Sequence, residues 1–353
     1  MLETGATVTS ADPHAAAANA QEARAKQQID ELIYAHRNPD GTFSGSGPFQ
    51  IKTWGKEAVL AANENYDQGR PFVDEVDIRM GRALKDRLID LQLGKADIAE
   101  IPAAQARGAA ASGIQVSRSQ PDELIALVFN AKGPAANDRR IREAVASTID
   151  RAAIVNFILQ KDGEPAGGLL PQWSSGTAFL FSTAADPGHA KELWSQIPAP
   201  PTISLGYDSG DSQEQAIAER IEVNAQGAGI PIALQAIPAG VAIPGADARL
   251  MRLRMPSAIP QAALAHLLGV LNPIAGLSTG GDALTDSAGP QQIYDAESSV
   301  VRSFSVVPIA WIPQVYGLSA RVRDWSAPGP GETWPLADVW LDNMDAQPQK
   351  GSS

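Results

Sequence analysis

The period of the hydrophobic positions changes several times along the chain. Residues 15–34 are helical in pattern, but the apolar face is mostly alanine until Ile29, Leu32, Ile33 and Tyr34. Such a helix buries little and needs a neighbour to lean on. Turn chemistry follows at Asn38-Pro39-Asp40-Gly41 and again at Gly45-Ser46-Gly47-Pro48. From Phe49 the apolar positions nearly alternate (Phe49, Ile51, Trp54, then Val59 and Leu60). Phe72, Val73, Val76 and Ile78 resume that pattern, so this region predicts strands. Leu84, Leu88 and Leu91 then fall at helical spacing, with Gly94 placed to end the helix. A short strand is predicted at 97–101.

Residues 124–129 form an apolar run without charge, the mark of a strand covered on both faces. Asn137 is placed to cap the next helix, whose stripe is Ile141, Val145 and Ile149. Asp150 can cap a second helix carrying Ile154, Phe157 and Ile158, and residues 162–182 read as a Gly/Pro/Trp loop. A strand at 202–207, a helix capped by Asp211 or Ser212 with Ile217, Ile221 and Ala225 on one face, and a strand at 231–237 make one β-α-β unit. A right-handed crossover and a parallel pair are expected of it. Residues 239–290 are poorly patterned. A helix near 291–304 leads into a strand at 306–312. Mixed α and β elements with a β-α-β unit predict an α/β protein.

Composition narrows the chemistry. The chain has 353 residues, which suggests two domains or three. It has no cysteine, which removes disulfides, thiolate metal sites and a cysteine nucleophile. A formal net charge of -12 argues against a nucleic-acid partner. No stretch approaches the ~20 apolar residues of a membrane helix. No basic segment leads into an apolar core at the start, so no signal peptide is expected in this chain.

Catalytic templates fail. Gly45-Ser46-Gly47 is followed by Pro48 and reads as a turn, not a dinucleotide fingerprint. His14, His36, His189 and His266 are far apart. No catalytic residue, cofactor or metal site is predicted. The suggestive residues are aromatic and polar ones near strand ends. Asn130 closes a strand, and Trp173 sits in a Gly/Pro/Ser loop where it either lines a cleft or anchors the loop. Tyr207 and Asp208 end a strand before a helix, the edge at which open α/β sheets bind ligands, although Asp208 also suits a turn. Trp311 lies in an apolar strand, where core packing is the simpler role.

Six segments in order carry a family resemblance: GSGPFQIKTW, LAANENYDQGRPFVDEVDIRM, LIDLQLGKADIAEIP, LIALVFNAK, NDRRIREAVASTIDRAAIV and VVPIAWIPQVYGLSARVRDW. Together they resemble family 5 of the extracellular solute-binding proteins, the peptide and nickel receptors of ABC importers. The resemblance implies a two-lobed, periplasmic-binding-protein-like clamp (type II) with a ligand cleft between lobes. It implies that residues 41–122 and 311–345 form a first lobe and residues 123–310 a second. Strands near 124–130 and 306–313 would be the hinge. Residues 1–40 do not resemble the family's usual start, so the first lobe is expected to be incomplete, and residues 346–353 are expected to be a disordered tail. An acidic stretch that meets the peptide amine in many peptide receptors is replaced here by RLMRLRMPSAIPQAAL. Arg252 and Arg254 would instead favour an anionic group if they face the cleft, although surface charges on an edge strand are the simpler reading.

The function so implied is capture of a peptide-like or other small polar solute for a membrane permease, by a monomer. Its location would be periplasmic or extracellular, or cytoplasmic if the sequence is complete. A truncated or degenerate family member without a transport role, and an unrecognised hydrolase using scattered carboxylates, stand as alternatives.

Overall fold

The computed structural model describes residues 45–55, 57–133, 138–238, 246–277, 284 and 288–342. The expected helix at 15–34, the turn at 38–41, the Asn137 cap, His14, His36 and the tail at 346–353 lie outside them. The chain divides into two compact units: Met1–Asp90 with Ala320–Trp325 and Pro335–Ser353, and Leu91–Ser319 with Ser326–Trp334.

The first unit carries an antiparallel meander, β1 (Phe49–Thr53), β2 (Glu57–Ala62) and β3 (Glu75–Arg79). Its resemblance-bearing residues are structural staples. The Asn63 side chain donates to the Gly47 carbonyl at 2.8 Å and accepts from the Asn65 N–H, fixing the end of β2 against the start of β1. Arg70 donates to both Glu64 and Asp74 across the turn that leads to β3.

The second unit is built on one mixed sheet. Its strands are β4 (Ile98–Glu100), β5 (Gln115–Phe129), β6 (Glu164–Pro165), β7 (Ile203–Asp208), β8 (Ile232–Ile237), β9 (Ala248–Arg254) and β10 (Val306–Leu318). Their order is β4-β10-β5-β9-β7-β8, with β6 also on β10. β7 and β8 are parallel, joined by the helix Ser212–Gly227, which is the predicted β-α-β unit. Two further strands, β11 (Val322–Arg323) and β12 (Trp340–Leu341), pair in the first unit.

Period-two alternation sorts the sheet into two cores. Ile125, Leu127 and Phe129 enter one, beneath the helices Arg139–Thr148, Pro187–Ser195 and Ser212–Gly227; Leu124, Ala126 and Val128 enter the other, beneath Pro260–Ala275 and Pro290–Ser303. This double cover explains the uncharged run at 124–129. Asp138 caps the helix Arg139–Thr148, accepting from the Arg140 N–H at 2.9 Å, one residue later than expected. Asp150 and Asp211 cap as predicted. The poorly patterned stretch holds β9 and a 16-residue helix, Pro260–Ala275.

β10 is the axis of this unit. All 13 of its residues are buried although it contains Pro308 and Pro313. Proline cannot donate to a ladder, so central strands tolerate it only at irregularities. Register shifts against β5 lie between Pro308 and Ala310, between Ile312 and Pro313, and between Pro313 and Val315. The first shift reverses the alternation, so Ile309 and Ala310 both enter one core and Trp311 turns into the other.

Gly163, just before β6, has φ of +151°, and a Cβ there would come within 2.7 Å of the Trp311 carbonyl oxygen. Gly163→Ala therefore meets backbone that cannot move aside. It should cost about 1–3 kcal/mol, read as a lower urea midpoint at unchanged m-value.

Candidate functional site

Pro121 of β5 faces Pro313 of β10. Neither has an N–H, so the ladder opens there and leaves polar groups to be satisfied by side chains. Ser119, Asp122 and Gln314, all buried, fill the opening. The Gln314 side-chain amide donates to Asp122 Oδ2 at 2.6 Å, and the Gln314 N–H donates to Ser119 Oγ at 2.9 Å. The Ser119 hydroxyl donates to the Gln120 carbonyl and lies 3.3 Å from Asp122 Oδ1. Tyr316 donates its hydroxyl to Gln314 Oε1 at 2.6 Å, and Trp334 stacks edge-on against its ring at 5.8 Å. Burial pushes the Asp122 carboxyl up from 3.8 to about 6, against the opposing pull of Arg254 and of the Gln314 hydrogen bond.

The break also separates the partners along the free side of β10. β6 pairs at Ala310 and Trp311, and β4 pairs at Tyr316–Leu318. The ordered family phrases supply anchors around it. Arg142 donates to the Ser303 carbonyl at the end of the helix Pro290–Ser303. Arg151 is buried and donates to the Pro308 carbonyl at 2.7 Å, and burial lowers its guanidinium to about 10.

The residues singled out from sequence do not form one cluster. Trp173 is half-buried and donates Nε1–H to the Pro121 carbonyl at 2.9 Å, so it anchors its loop beside the break. Arg254 reaches Glu100 on β4 at 3.5 Å with half its side chain exposed. Arg252 is neutralised within the fold: Asp211 lies at 2.8 Å, Glu123 at 3.3 Å and Glu214 at 3.7 Å. Asp211 meanwhile caps its helix through Oδ1. Asp208 accepts from the Gly210 N–H, and its own N–H donates to Glu214. Tyr207 packs against the core. Asn130 forms a turn, accepting from the Lys132 N–H and donating to the Ala246 carbonyl. Trp311 is a buried core residue whose Nε1–H has no partner among the described residues.

Arg252→Met would leave three carboxylates facing one another. A loss of about 1–3 kcal/mol is expected at pH 7, since the site is partly solvated. The deficit should shrink toward acid pH, because burial raises the Glu214 carboxyl above its ordinary value and its protonation removes one of the facing charges. Chemical denaturation of both proteins at neutral and at acid pH checks this.

Sequence reasoning missed Ser119, Asp122, Gln314 and Tyr316. The available signal was a pair of prolines, each within a predicted buried strand or beside one, with polar residues next to them. Among the described residues, no group of three or more His, Asp or Glu is placed to hold a metal. No described helix is long and apolar enough to cross a membrane.

The fold of this chain is that seen in solved ABC-transporter substrate-binding proteins. The solved structure of CtaP from Listeria monocytogenes superposes with a TM-score of 0.72 at 19% identity, covering 84% of this chain and 67% of that one. Residues 7–254 match the family "Bacterial extracellular solute-binding proteins, family 5 Middle", and the chain belongs to that family. Over 125 residues it is 30% identical to the oligopeptide-binding protein AppA of Bacillus subtilis, covering 35% of this chain and 23% of that protein. Over 201 residues it is 26% identical to the probable D,D-dipeptide-binding periplasmic protein DdpA of Escherichia coli, covering 54% and 38%. The matched stretch thus spans well under half the length of these curated relatives.

Proposed function

We propose that this protein is the solute-capturing component of an ABC importer, holding a peptide-like or other small polar solute outside the cytoplasmic membrane and delivering it to a permease. The carrying observation is the family match over residues 7–254. Support comes from AppA and DdpA, whose names specify an oligopeptide and a D,D-dipeptide. The role is binding, not catalysis, in keeping with a family of binding proteins. We further propose lobes at residues 41–122 with 311–345 and at 123–310. Those limits cut β5 beside Asp122 and β10 between Ala310 and Trp311, next to the opened ladder. A ladder with few backbone bonds is where a few residues can absorb a change in φ and ψ.

Thermal unfolding of the full chain should be followed against di- to pentapeptides, sugars and nickel(II). A true ligand at 100-fold over its Kd adds ~2.7 kcal/mol and raises the midpoint by several degrees. No stabilisation by any member of the set would overturn the reading.

A further inference from the structure

Glu297 lies in the middle of the helix Pro290–Ser303 and is fully buried. Carboxylates are rarely buried that far unless a cation pairs with them. Among the described residues none does. Oε1 accepts from the Leu170 N–H at 2.8 Å, and the Leu169 N–H also favours the charged form. Oε2 has no partner among the described residues. The titratable groups on the elements around this core are Glu164 on β6, Asp122 at the break in β5, Arg249 on β9, His266 on the helix Pro260–Ala275 and Tyr294 on the same helix as Glu297. None of them bonds to Glu297 or alters its charge balance. Burial dominates, and pushes the carboxyl up from 4.5 to about 7 against the pull of the two backbone N–H groups.

What Glu297 holds is the loop that leaves β6. A Cβ at Gly167 would lie 2.5 Å from the Phe181 carbonyl oxygen, and one at Gly168 would lie 2.5 Å from Glu297 Oε1. The loop therefore packs as closely as glycine allows, and nothing separates it from the carboxyl. At its start the loop is tied to β10: β6 pairs with Ala310 and Trp311, and the Ala166 N–H donates to the Ile309 carbonyl at 3.0 Å. Three residues beyond Leu170, Trp173 grips the Pro121 carbonyl at the opened ladder. Glu297 is thus the middle tie of a brace that runs from β10 to the break in β5. A cavity of about 230 Å³, lined in part by Gly167, Gly168 and Leu170, gives water a place from which to enter if the loop lifts.

We propose that Glu297 is a proton-controlled latch on the loop 166–173. Protonated, it stays buried and holds the loop through the Leu170 N–H; ionised, it draws in water and loosens the brace at Pro121. The sign follows from where the proton is held more tightly. The closed loop keeps it to about pH 7, whereas an opened, hydrated carboxyl releases it near the ordinary 4.5. The closed form is therefore favoured most below pH 4.5, and that preference is lost as pH rises through about 7. The latch goes beyond the solute-binding role and does not depend on which solute is bound.

Hydrogen exchange of the full chain tests it, read by mass spectrometry over residues 166–173 and divided by the intrinsic rate at each pH. Opening of this segment should rise about tenfold or more between pH 5 and pH 8 and level off above. Glu297→Gln keeps an oxygen for the Leu170 N–H and cannot ionise, so its profile should be flat. Asp122→Asn should retain the rise, which separates this group from the other buried carboxyl. A flat profile in the parent, or the same rise in the Gln variant, overturns the proposal. Should the Gln variant fail to fold, the Asp122→Asn protein decides: a rise confirms a second titrating group at this loop, and a flat profile overturns the latch.

Discussion

Replacing Trp311 by alanine should lower the stability of the second unit by about 3–5 kcal/mol, the range for removing a buried indole from a packed core. Trp311 is the largest of the fully buried side chains. It closes the core formed with Leu124, Ala126, Val128, Leu169, Leu170 and the helices Pro260–Ala275 and Pro290–Ser303. In a unit of this size the midpoint should fall on the order of 10 °C. The measurement is thermal and urea unfolding of both proteins. A change below about 1 kcal/mol would mean that Trp311 is not packed as described.

The second large effect is a pH dependence at Asp122. Its carboxyl is raised to about 6 in the fold from an ordinary 3.8. The folded state therefore holds this proton more tightly than the unfolded chain. Between about pH 4 and 6 the folded state carries the extra proton, so the Asp122 contribution to stability falls as pH rises through that window. The difference of about two units corresponds to about 3 kcal/mol. Asp122→Asn removes the term. The amide can still accept from the Gln314 amide and can donate to Ser119 Oγ, so the network remains satisfiable. Relative to the parent, the variant should gain on the order of 2–3 kcal/mol between pH 4 and pH 7. Urea titrations at pH 4, 5.5 and 7 test this, and a parallel pair of curves would sink it.

Much of the sheet was legible because its causes are local. The run at 124–129, the stripe Ile217, Ile221 and Ala225, and the caps Asp150 and Asp211 are visible in short windows, and each forms as predicted. β9 was not legible. Its RLMRLR pattern exposes charge in a strand whose arginine is neutralised by Asp211, Glu123 and Glu214, all distant in sequence. The helix Pro260–Ala275 falls in the poorly patterned stretch, since its Pro260 and Pro273 look like breakers until one is seen at its first turn and the other in its last. The polar break was hidden for a similar reason. Ser119, Asp122 and Gln314 gain meaning only when Pro121 meets Pro313 across the ladder. Trp173 stands out in the sequence as an indole in a loop, but whether it grips a carbonyl or faces open space depends on a partner 52 positions away.

The position of β10 has a consequence for how the protein is made. It lies between β4 and β5, yet it is encoded more than 170 residues after β5 ends. Until residue 318 has left the ribosome, those two strands have unpaired edges facing the gap that β10 will fill. Synthesis at ~5–20 residues per second leaves that gap open for many seconds. Closing it requires a contact of very long sequence separation, which is slow by topology alone. While the residues between β5 and β10 are being made, the nascent chain cannot complete its main sheet, so the final step of its folding waits on a long-range contact.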